Sequence, residues 1–488
     1  MVPRTRRILL IGPVFFALAC SGCSKDDNGT QPPSNNTISD GIRPIVFVHG
    51  ALEAADAFVP LTQLFVANGY TWEQLHPVDF VNVQSVSGTD VSAMTNQLAS
   101  TVASVLASSG ADRVDLVAHG IGAQAVQRYL VQNEGTGRTA HVAFLAGVFD
   151  PSVKLNGSLV PGPCKYMALR SNGMDALQSG NSGQGILEGA ENRVIADVDH
   201  QYILTASASF SALYSFFTGQ QPSTVSLPAP VNLKEYTIRF RVVSLFDNAP
   251  VAGATVSLFR LKKNLAERQT GGPSPAKTDA DGYVTFTHQV NPFFDLEIAV
   301  SATGYHDMHI YRQPWRADSR FERLKVLPKT GGSAYLQSIV QELPFSNGHA
   351  TVLVSTPYRA WYDGRDRAVI EAYNQQEPPD FYGYKKVELV NPRTAPLPTS
   401  TTAGKNTFLM FVSDFGMDKT DGGGPANQAL LESFGISSYD VFLNTSDVSL
   451  NYGIVTVNTK QLAFRNFRSQ GTTPNNGGIS IVQFDYTE

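Results

Sequence analysis

Residues 114–130, VDLVAHGIGAQAVQRYL, have the pattern of a buried strand, a sharp turn and a helix, which is how some enzymes expose a nucleophile. A serine at the centre of such a turn holds its hydroxyl above the end of the sheet, where a histidine accepts its proton. Gly120 stands at that centre here, and no G-x-S-x-G motif occurs elsewhere in the chain. His200, in DVDHQYIL, is the candidate general base. The pattern predicts an acyl-transfer site without its nucleophilic hydroxyl.

The segments around this turn predict the sheet that positions it. Residues 45–48 form a short apolar, β-branched run that ends in a His49-Gly50 turn, as expected of a strand buried on both faces. Apolar residues after Asp90 have helical spacing up to Gly110, and further helical spacing covers residues 121–132. AHVAFLAGVFD then supplies another core strand. Strands that alternate with helices predict a parallel sheet covered on both faces.

Composition limits the class of protein. The chain has 488 residues, of which 42% are hydrophobic and 16% charged, enough for roughly three globular domains. A formal net charge of -5 gives no broad basic surface, so nucleic acid is excluded as a partner. Cys164 is the only cysteine beyond residue 23, so no internal disulfide is expected.

The N-terminus predicts export. Arginines at positions 4, 6 and 7 precede an apolar run over residues 8–19, which is too short for a permanent bilayer anchor. Cys20 and Cys23 follow among small residues, so residues 1–23 resemble a bacterial lipoprotein signal, with a cleaved signal that carries no lipid as the alternative. Residues 24–41 form a polar tether. The expected location is the bacterial outer membrane, through a lipid on Cys20 or Cys23, or secretion.

Five segments, in order, resemble the lipase branch of the α/β-hydrolases, and specifically lipases with β-rich C-terminal domains. They are PIVFVHGALEAADAF, ANGY, SSGADRVDLVAHGIGAQAVQRYL, AHVAFLAGVFD and DVDHQYILTASASFSALYSFFTG. The resemblance implies that Gly120 occupies the nucleophile position and that His200 is the base. It also implies an oxyanion hole formed by the backbone N–H groups of Ala51 and Ile121.

The acid of the implied triad has two candidates, because alanine stands at the position that the most similar lipases use. In the most similar lipases it lies at the end of the strand after the elbow helix, a position that Ala146 occupies here. Most α/β-hydrolases carry it after the next strand, which favours Asp175 in KYMALRSNGMDAL. Asp150 is the weaker alternative.

Domain boundaries follow from changes in pattern. Residues 42–222 are predicted to form the hydrolase domain, and the proline-rich residues 223–232 a linker. Alternating strands over residues 233–328 predict a β-sandwich that resembles the carboxypeptidase regulatory-like and transthyretin-like domains. Residues 329–488 are predicted to be all-β and barrel-like, with one helix around 425–434.

Three functions remain open from the sequence. The first is a lipase-family pseudoenzyme that binds lipids or other acyl esters; the second is a carboxylic-ester hydrolase that is active when serine stands at position 120, or by another route. The third is an envelope adhesion or scaffold protein. No cofactor is expected, and no metal, because strand alternation places His306 and His309 on opposite faces.

Overall fold

The computed structural model of the protein describes residues 42–485, apart from a set of internal segments. These segments are residues 51–52, 83–87, 133–134, 155–163, 173–184, 246, 264, 290, 332–348, 356, 359–367, 375–384, 390–410, 413–435, 443–450 and 466–478. Cys20, Cys23 and the helix predicted around residues 425–434 therefore lie outside the described residues.

The first sheet has six strands that are all parallel, in the order β2-β1-β3-β4-β5-β6. Its strands are β1 (Ile45–Val48), β2 (Leu75–Pro77), β3 (Val114–His119), β4 (Thr139–Leu145), β5 (Lys165–Ser171) and β6 (Glu191–Ile195). Among the described residues, five α-helices accompany it: α1 (Val59–Ala67), α2 (Gly88–Ser109), α3 (Gly122–Gln132), α4 (Gly135–Arg138) and α5 (Ser207–Thr218). Short 3₁₀ helices cover Ala55–Phe58, Trp72–Gln74 and Tyr202–Leu204.

Helices cover both faces of this sheet, as predicted. Phe47 of β1 packs with Phe65 of α1 and Phe210 of α5 in one buried cluster. Val46, its neighbour on the opposite face, packs in a second cluster with Met94 of α2 and other residues of α2 and α3. Successive side chains of β1 therefore enter different cores, which explains why the strand is apolar at every position. No helix among the described residues is long and apolar enough to cross a membrane.

The predicted β-sandwich is present. A three-stranded sheet, β11-β7-β14, packs against a nine-stranded sheet that includes β8, β12 and β13. The core between them contains Phe240 of β7, Leu258 of β8 and Ile298 of β12. The strands are β7 (Glu235–Ser244), β8 (Thr255–Lys262), β9 (Glu267–Arg268), β10 (Ala276–Lys277), β11 (Tyr283–Gln289), β12 (Phe294–Ser301), β13 (Met308–Arg312) and β14 (Ser319–Val326).

The barrel-like character predicted for residues 329–488 is wrong, because the described strands of this segment form no closed barrel. Strand β22 pairs in parallel with both β13 and β15, so the C-terminal strands extend the nine-stranded sheet of the sandwich, while β16, β17, β20 and β21 form a separate sheet. The bounds are β15 (His349–Ser355), β16 (Ala368–Asn374), β17 (Lys385–Leu389), β18 (Phe411–Val412), β19 (Ile436–Phe442), β20 (Asn451–Val457), β21 (Lys460–Arg465) and β22 (Ile479–Gln483). Strand alternation indicates β structure but does not specify which edge a distant strand joins.

A buried histidine of the sandwich makes its stability depend on pH. His288 of β11 is 2% exposed, with its ring centroid 6.2 Å from that of Trp315. Burial, helped by the charge of Arg260, lowers the pKa of His288 to about 4. Between this value and the unfolded pKa of about 6.5, only the unfolded chain binds the proton, so stability falls as the pH falls through that window.

We therefore expect acidification from pH 7.5 to pH 5 to lower the free energy of unfolding of the natural chain by on the order of 1 to 2 kcal/mol more than that of His288→Phe. Urea denaturation of both proteins at the two pH values measures this difference. Equal pH dependence in the two proteins would show that His288 is protonated in the folded state.

Candidate active site at the strand–helix elbow

The turn between β3 and α3 is a sharp elbow with Gly120 at its centre. Gly120 has φ +53°, and its backbone is held on both sides: its N–H donates to the carbonyl of Leu145 at 3.2 Å, and its carbonyl accepts from the N–H of Val148 at 2.9 Å. A residue with a side chain is strained at this φ by on the order of 1 to 3 kcal/mol, whereas glycine is strained much less. The elbow thus holds its central residue in a left-handed conformation that glycine adopts with little strain.

The elbow packs directly on the end of β1. A Cβ placed on Gly122 would lie 2.6 Å from the carbonyl oxygen of His49 and 2.7 Å from that of Val48, so only glycine allows this close approach. The contact brings Gly50 beside the elbow, with its Cα 3.8 Å from the position that a Cβ on Gly120 would occupy. The turn after β1 and the elbow are therefore adjacent in the structure.

His200 lies over the elbow. A Cβ on Gly120 would lie 3.0 Å from His200 Nε2 and 3.5 Å from its Cε1, and no other side-chain atom is among the three nearest neighbours of that position. The ring nitrogen of the predicted base thus faces the point from which a serine side chain would extend. Two residues that are far apart in the chain are thus neighbours in the structure.

His49 anchors the turn after β1 through both of its ring nitrogens. Its Nδ1 donates to the Gly50 carbonyl at 2.7 Å, and its Nε2 accepts from the N–H of Phe80 at 3.1 Å. These partners require the neutral ring. Burial lowers the pKa of His49, which favours the same form.

Two segments of the chain match family models. Residues 42–147 match the family model for class 2 lipases, and residues 234–328 match that for the lipase C-terminal domain. The segment that resembles a carboxypeptidase regulatory-like sandwich in sequence is therefore matched here as the C-terminal domain of a lipase.

Several solved structures are similar to this chain over most of their own length. A phospholipase from Legionella pneumophila is 10% identical, with 58% of this chain and 93% of that chain covered and a TM-score of 0.28. A lipase from Bacillus licheniformis is 16% identical, with coverage of 37% and 94% and a TM-score of 0.29. A carboxylesterase from Bacillus subtilis is 12% identical, with coverage of 37% and 86% and a TM-score of 0.26.

The two acid candidates, and the alanine at the third acid position, are placed differently. Asp175 follows β5 in the chain and lies outside the described residues. Ala146 directly follows β4, is fully buried and has φ +46°. The Asp150 carboxylate accepts hydrogen bonds from Ser152 Oγ at 2.6 Å and from Arg128 Nη2 at 3.4 Å. These bonds, above all the one from Ser152, lower the pKa of Asp150. The Asp150 carboxylate is thus already bonded to Ser152 and to Arg128 of α3.

Only one of the two expected oxyanion donors lies among the described residues. Ile121 follows Gly120 at the elbow, where the lipase resemblance places its N–H, whereas Ala51 lies outside the described residues. Within the part of the chain that the structure describes, no group of three metal-ligating side chains is arranged to hold a metal ion.

Sequence reasoning missed Glu53 and His119, which connect the parts of the site. Glu53 Oε2 accepts from the N–H of Gly50 at 2.6 Å and from His119 Nδ1 at 2.9 Å, and its Oε1 accepts from Gln201 Nε2 at 3.0 Å. The other ring nitrogen of His119 donates to the carbonyl of His200 at 2.8 Å. Both ring nitrogens of His119 therefore face acceptor oxygens.

The pairing also explains the charge state of Glu53. Burial by itself would raise the pKa of Glu53, but the charge and hydrogen bond of His119, together with the nearby His200 and His49, hold it well below its ordinary value. Glu53 is therefore a carboxylate inside the site. Its partners lie in segments that are remote in sequence, and a glutamate after a strand carries no signal by itself.

Proposed function

We propose that this protein binds lipids or other acyl esters at a lipase-type site whose covalent chemistry has been lost with the nucleophilic hydroxyl. The observation that carries the proposal is the 3.0 Å between His200 Nε2 and the Cβ position of Gly120. A general base aimed at an empty nucleophile position is the expected result of replacing one residue in an otherwise retained site. The proposed setting is the bacterial envelope or the exterior, with a lipid on Cys20 or Cys23 as the anchor.

The chemistry of the family explains why glycine is decisive. In a serine hydrolase the base removes the hydroxyl proton as the oxygen attacks the ester carbonyl, and backbone N–H groups stabilise the oxyanion. Gly120 offers neither an oxygen nor a proton. Loss of the serine in a comparable triad lowers turnover by about a million-fold, with only oxyanion and binding contributions remaining. We therefore expect little or no hydrolysis of p-nitrophenyl esters by the natural chain.

The same distance favours one alternative, a carboxylic-ester hydrolase that is active when serine stands at position 120. It also weighs against a pure adhesion or scaffold role, because such a role requires no histidine aligned with the elbow. The two hydrolase-type functions differ only in whether the hydroxyl is present, so restoring it is the direct test.

We predict that Gly120→Ser gains hydrolysis of p-nitrophenyl esters and covalent labelling by a serine-reactive organophosphonate. The variant is expected to lose on the order of 1 to 3 kcal/mol of stability because serine is strained at φ +53°. The His200 ring must also withdraw slightly, since 3.0 Å is tight for a Cβ contact. Ester turnover, labelling detected by mass spectrometry and urea denaturation measure the three effects.

Gly120→Ala is the matched control, since it adds the same Cβ and the same backbone strain but no hydroxyl. It is expected to be destabilised like the serine variant and to remain inactive. Two results would contradict the proposal: a folded Gly120→Ser protein that neither turns over esters nor labels, or a natural chain with turnover above about one per second that His200→Ala abolishes.

A further inference from the structure

The turn between β7 and β8 of the sandwich reaches into the hydrolase domain through one side chain. Asn248, 7% exposed, directs its Nδ2 to the Glu53 carbonyl at 2.8 Å and to the Phe80 carbonyl at 3.3 Å. The backbone around it is also joined, because the carbonyl of Asp247 accepts from the N–H of Asn82 at 2.8 Å. The contact is therefore buried, polar and formed between two family-matched segments.

Both carbonyls belong to segments that position the candidate site. Glu53 holds the N–H of Gly50 and, through His119, the carbonyl of His200. Phe80 donates its own N–H to His49 Nε2. A donor that fixes both carbonyls thus fixes the turn after β1 from two sides.

We infer that Asn248 is a positioning residue of the hydrolase site, which acts through Glu53 and His119 on the location of His200. The lipase C-terminal domain then completes the site instead of serving only as a separate binding module. This inference rests on the proposed function, because positioning matters only if His200 is the base.

The physical argument concerns two buried acceptors. Without the Asn248 amide, the Glu53 and Phe80 carbonyls lose a donor that water can replace only by opening the contact between the domains. The Glu53 backbone is then free to shift, and its carboxylate moves with respect to Gly50, His119 and Gln201. Displacements of about 1 Å at a reacting group can lower a rate about 100-fold.

The first test uses the chain as it exists, with Gly120. Asn248 has φ +55°, so Asn248→Gly removes the amide and keeps the backbone favourable. In ¹H–¹⁵N spectra, the His119 ring N–H that faces Glu53 should give a downfield, slowly exchanging resonance. We expect Asn248→Gly to shift or broaden it. Arg320→Ala is the control: it breaks an exposed contact between the same domains, to Glu73, and should leave the resonance unchanged.

The second test is made in the Gly120→Ser background. It distinguishes hydrogen-bond donation by the Asn248 amide from simple filling of space by the Asn248 side chain. Asn248→Asp keeps the shape of the side chain but presents an acceptor to two carbonyls. If donation matters, Asn248→Asp and Asn248→Gly both lower kcat and the organophosphonate labelling rate by about 10-fold or more, with KM little changed. If Asn248 only fills space, Asn248→Asp behaves like the parent.

The outcomes distinguish the two proposals. An unchanged His119 resonance in Asn248→Gly overturns the positioning role whatever the activity of Gly120→Ser. Where Gly120→Ser is active, full activity of Asn248→Asp in that background overturns it as well. If Gly120→Ser is inert while the resonance responds to Asn248→Gly, the proposed function fails and the coupling between Asn248 and His119 stands.

Discussion

In the Gly120→Ser background, His200→Ala is expected to reduce ester turnover by on the order of 10⁴-fold or more, back to the level of the natural chain. The reason is geometric: His200 Nε2 lies 3.0 Å from the Cβ position of residue 120, within reach of a serine hydroxyl once the ring adjusts. Steady-state kinetics with p-nitrophenyl esters measure the loss, which should appear in kcat.

Substitutions in the same Gly120→Ser background should show which aspartate is the acid of the triad. Asp175→Asn is expected to lower kcat by on the order of 10⁴-fold because an amide leaves the base in the wrong tautomer. Asp150→Asn is the matched control, since the Asp150 carboxylate is bonded to Ser152 and Arg128, and its effect should stay within a few-fold. A large loss in Asp150→Asn with none in Asp175→Asn would reverse the assignment. Retention of activity in His200→Ala would remove His200 from the mechanism.

Arg323→Ala is expected to lower the free energy of unfolding by about 3 kcal/mol, the largest stability effect that we predict for removal of one charged side chain. Arg323 Nε contacts both carboxylate oxygens of Asp79, at 3.0 and 2.9 Å, and the Asp79 side chain is only 4% exposed. Removal of the guanidinium leaves a buried carboxylate with one remaining cation, Arg241, at 2.7 Å. Urea denaturation at pH 7 measures the effect.

The effect of Arg323→Ala should depend on pH with a defined sign. Burial by itself would raise the pKa of Asp79, but Arg323 and its hydrogen bonds hold it well below the ordinary value. The stabilisation from such a carboxylate is present above the unfolded pKa near 3.9 and is lost as the pH falls towards the folded value. The difference between the natural chain and Arg323→Ala should therefore be full at neutral pH and shrink below about pH 4.

Arg320→Ala again serves as the control. Arg320 and Glu73 form an ion pair between the same two domains, but their side chains are 41% and 61% exposed, so its loss should cost less than about 1 kcal/mol. If Arg323→Ala lowers the free energy of unfolding by no more than Arg320→Ala does, then Asp79 becomes solvated or protonated without a cost in stability.

The Asp79 cluster also bears on the site itself. Asp79 Oδ1 accepts from the N–H of Ala55 at 2.9 Å, two residues after Glu53. Lys325 of β14 pairs with Asp56 at 3.2 Å. The same stretch of chain that carries Glu53 is thus held by the sandwich at several points, which is why stability of the domain contact and geometry of the site are expected to change together.

The sequence by itself determined the local features of the hydrolase domain. The apolar run of β1, the strand and helix on either side of Gly120 and the helix that begins near Asp90 all appear where their periodicity predicted them. These features depend on neighbours within a few residues, through side-chain alternation, helical spacing and turn chemistry. The pairing of Gly120 with His200 came from the order of motifs in a resembling family, not from periodicity.

Tertiary structure alone decided the polar partners and the strand edges. Glu53 is 66 residues from His119, Asn248 is 195 residues from Glu53, and Arg323 is 244 residues from Asp79. Strand β22 joins the sandwich sheet instead of closing a barrel. Such contacts form because buried charges and carbonyls require partners, and which partner reaches them depends on how the domains pack. No pattern in the amino-acid sequence predicts which partner a buried group contacts.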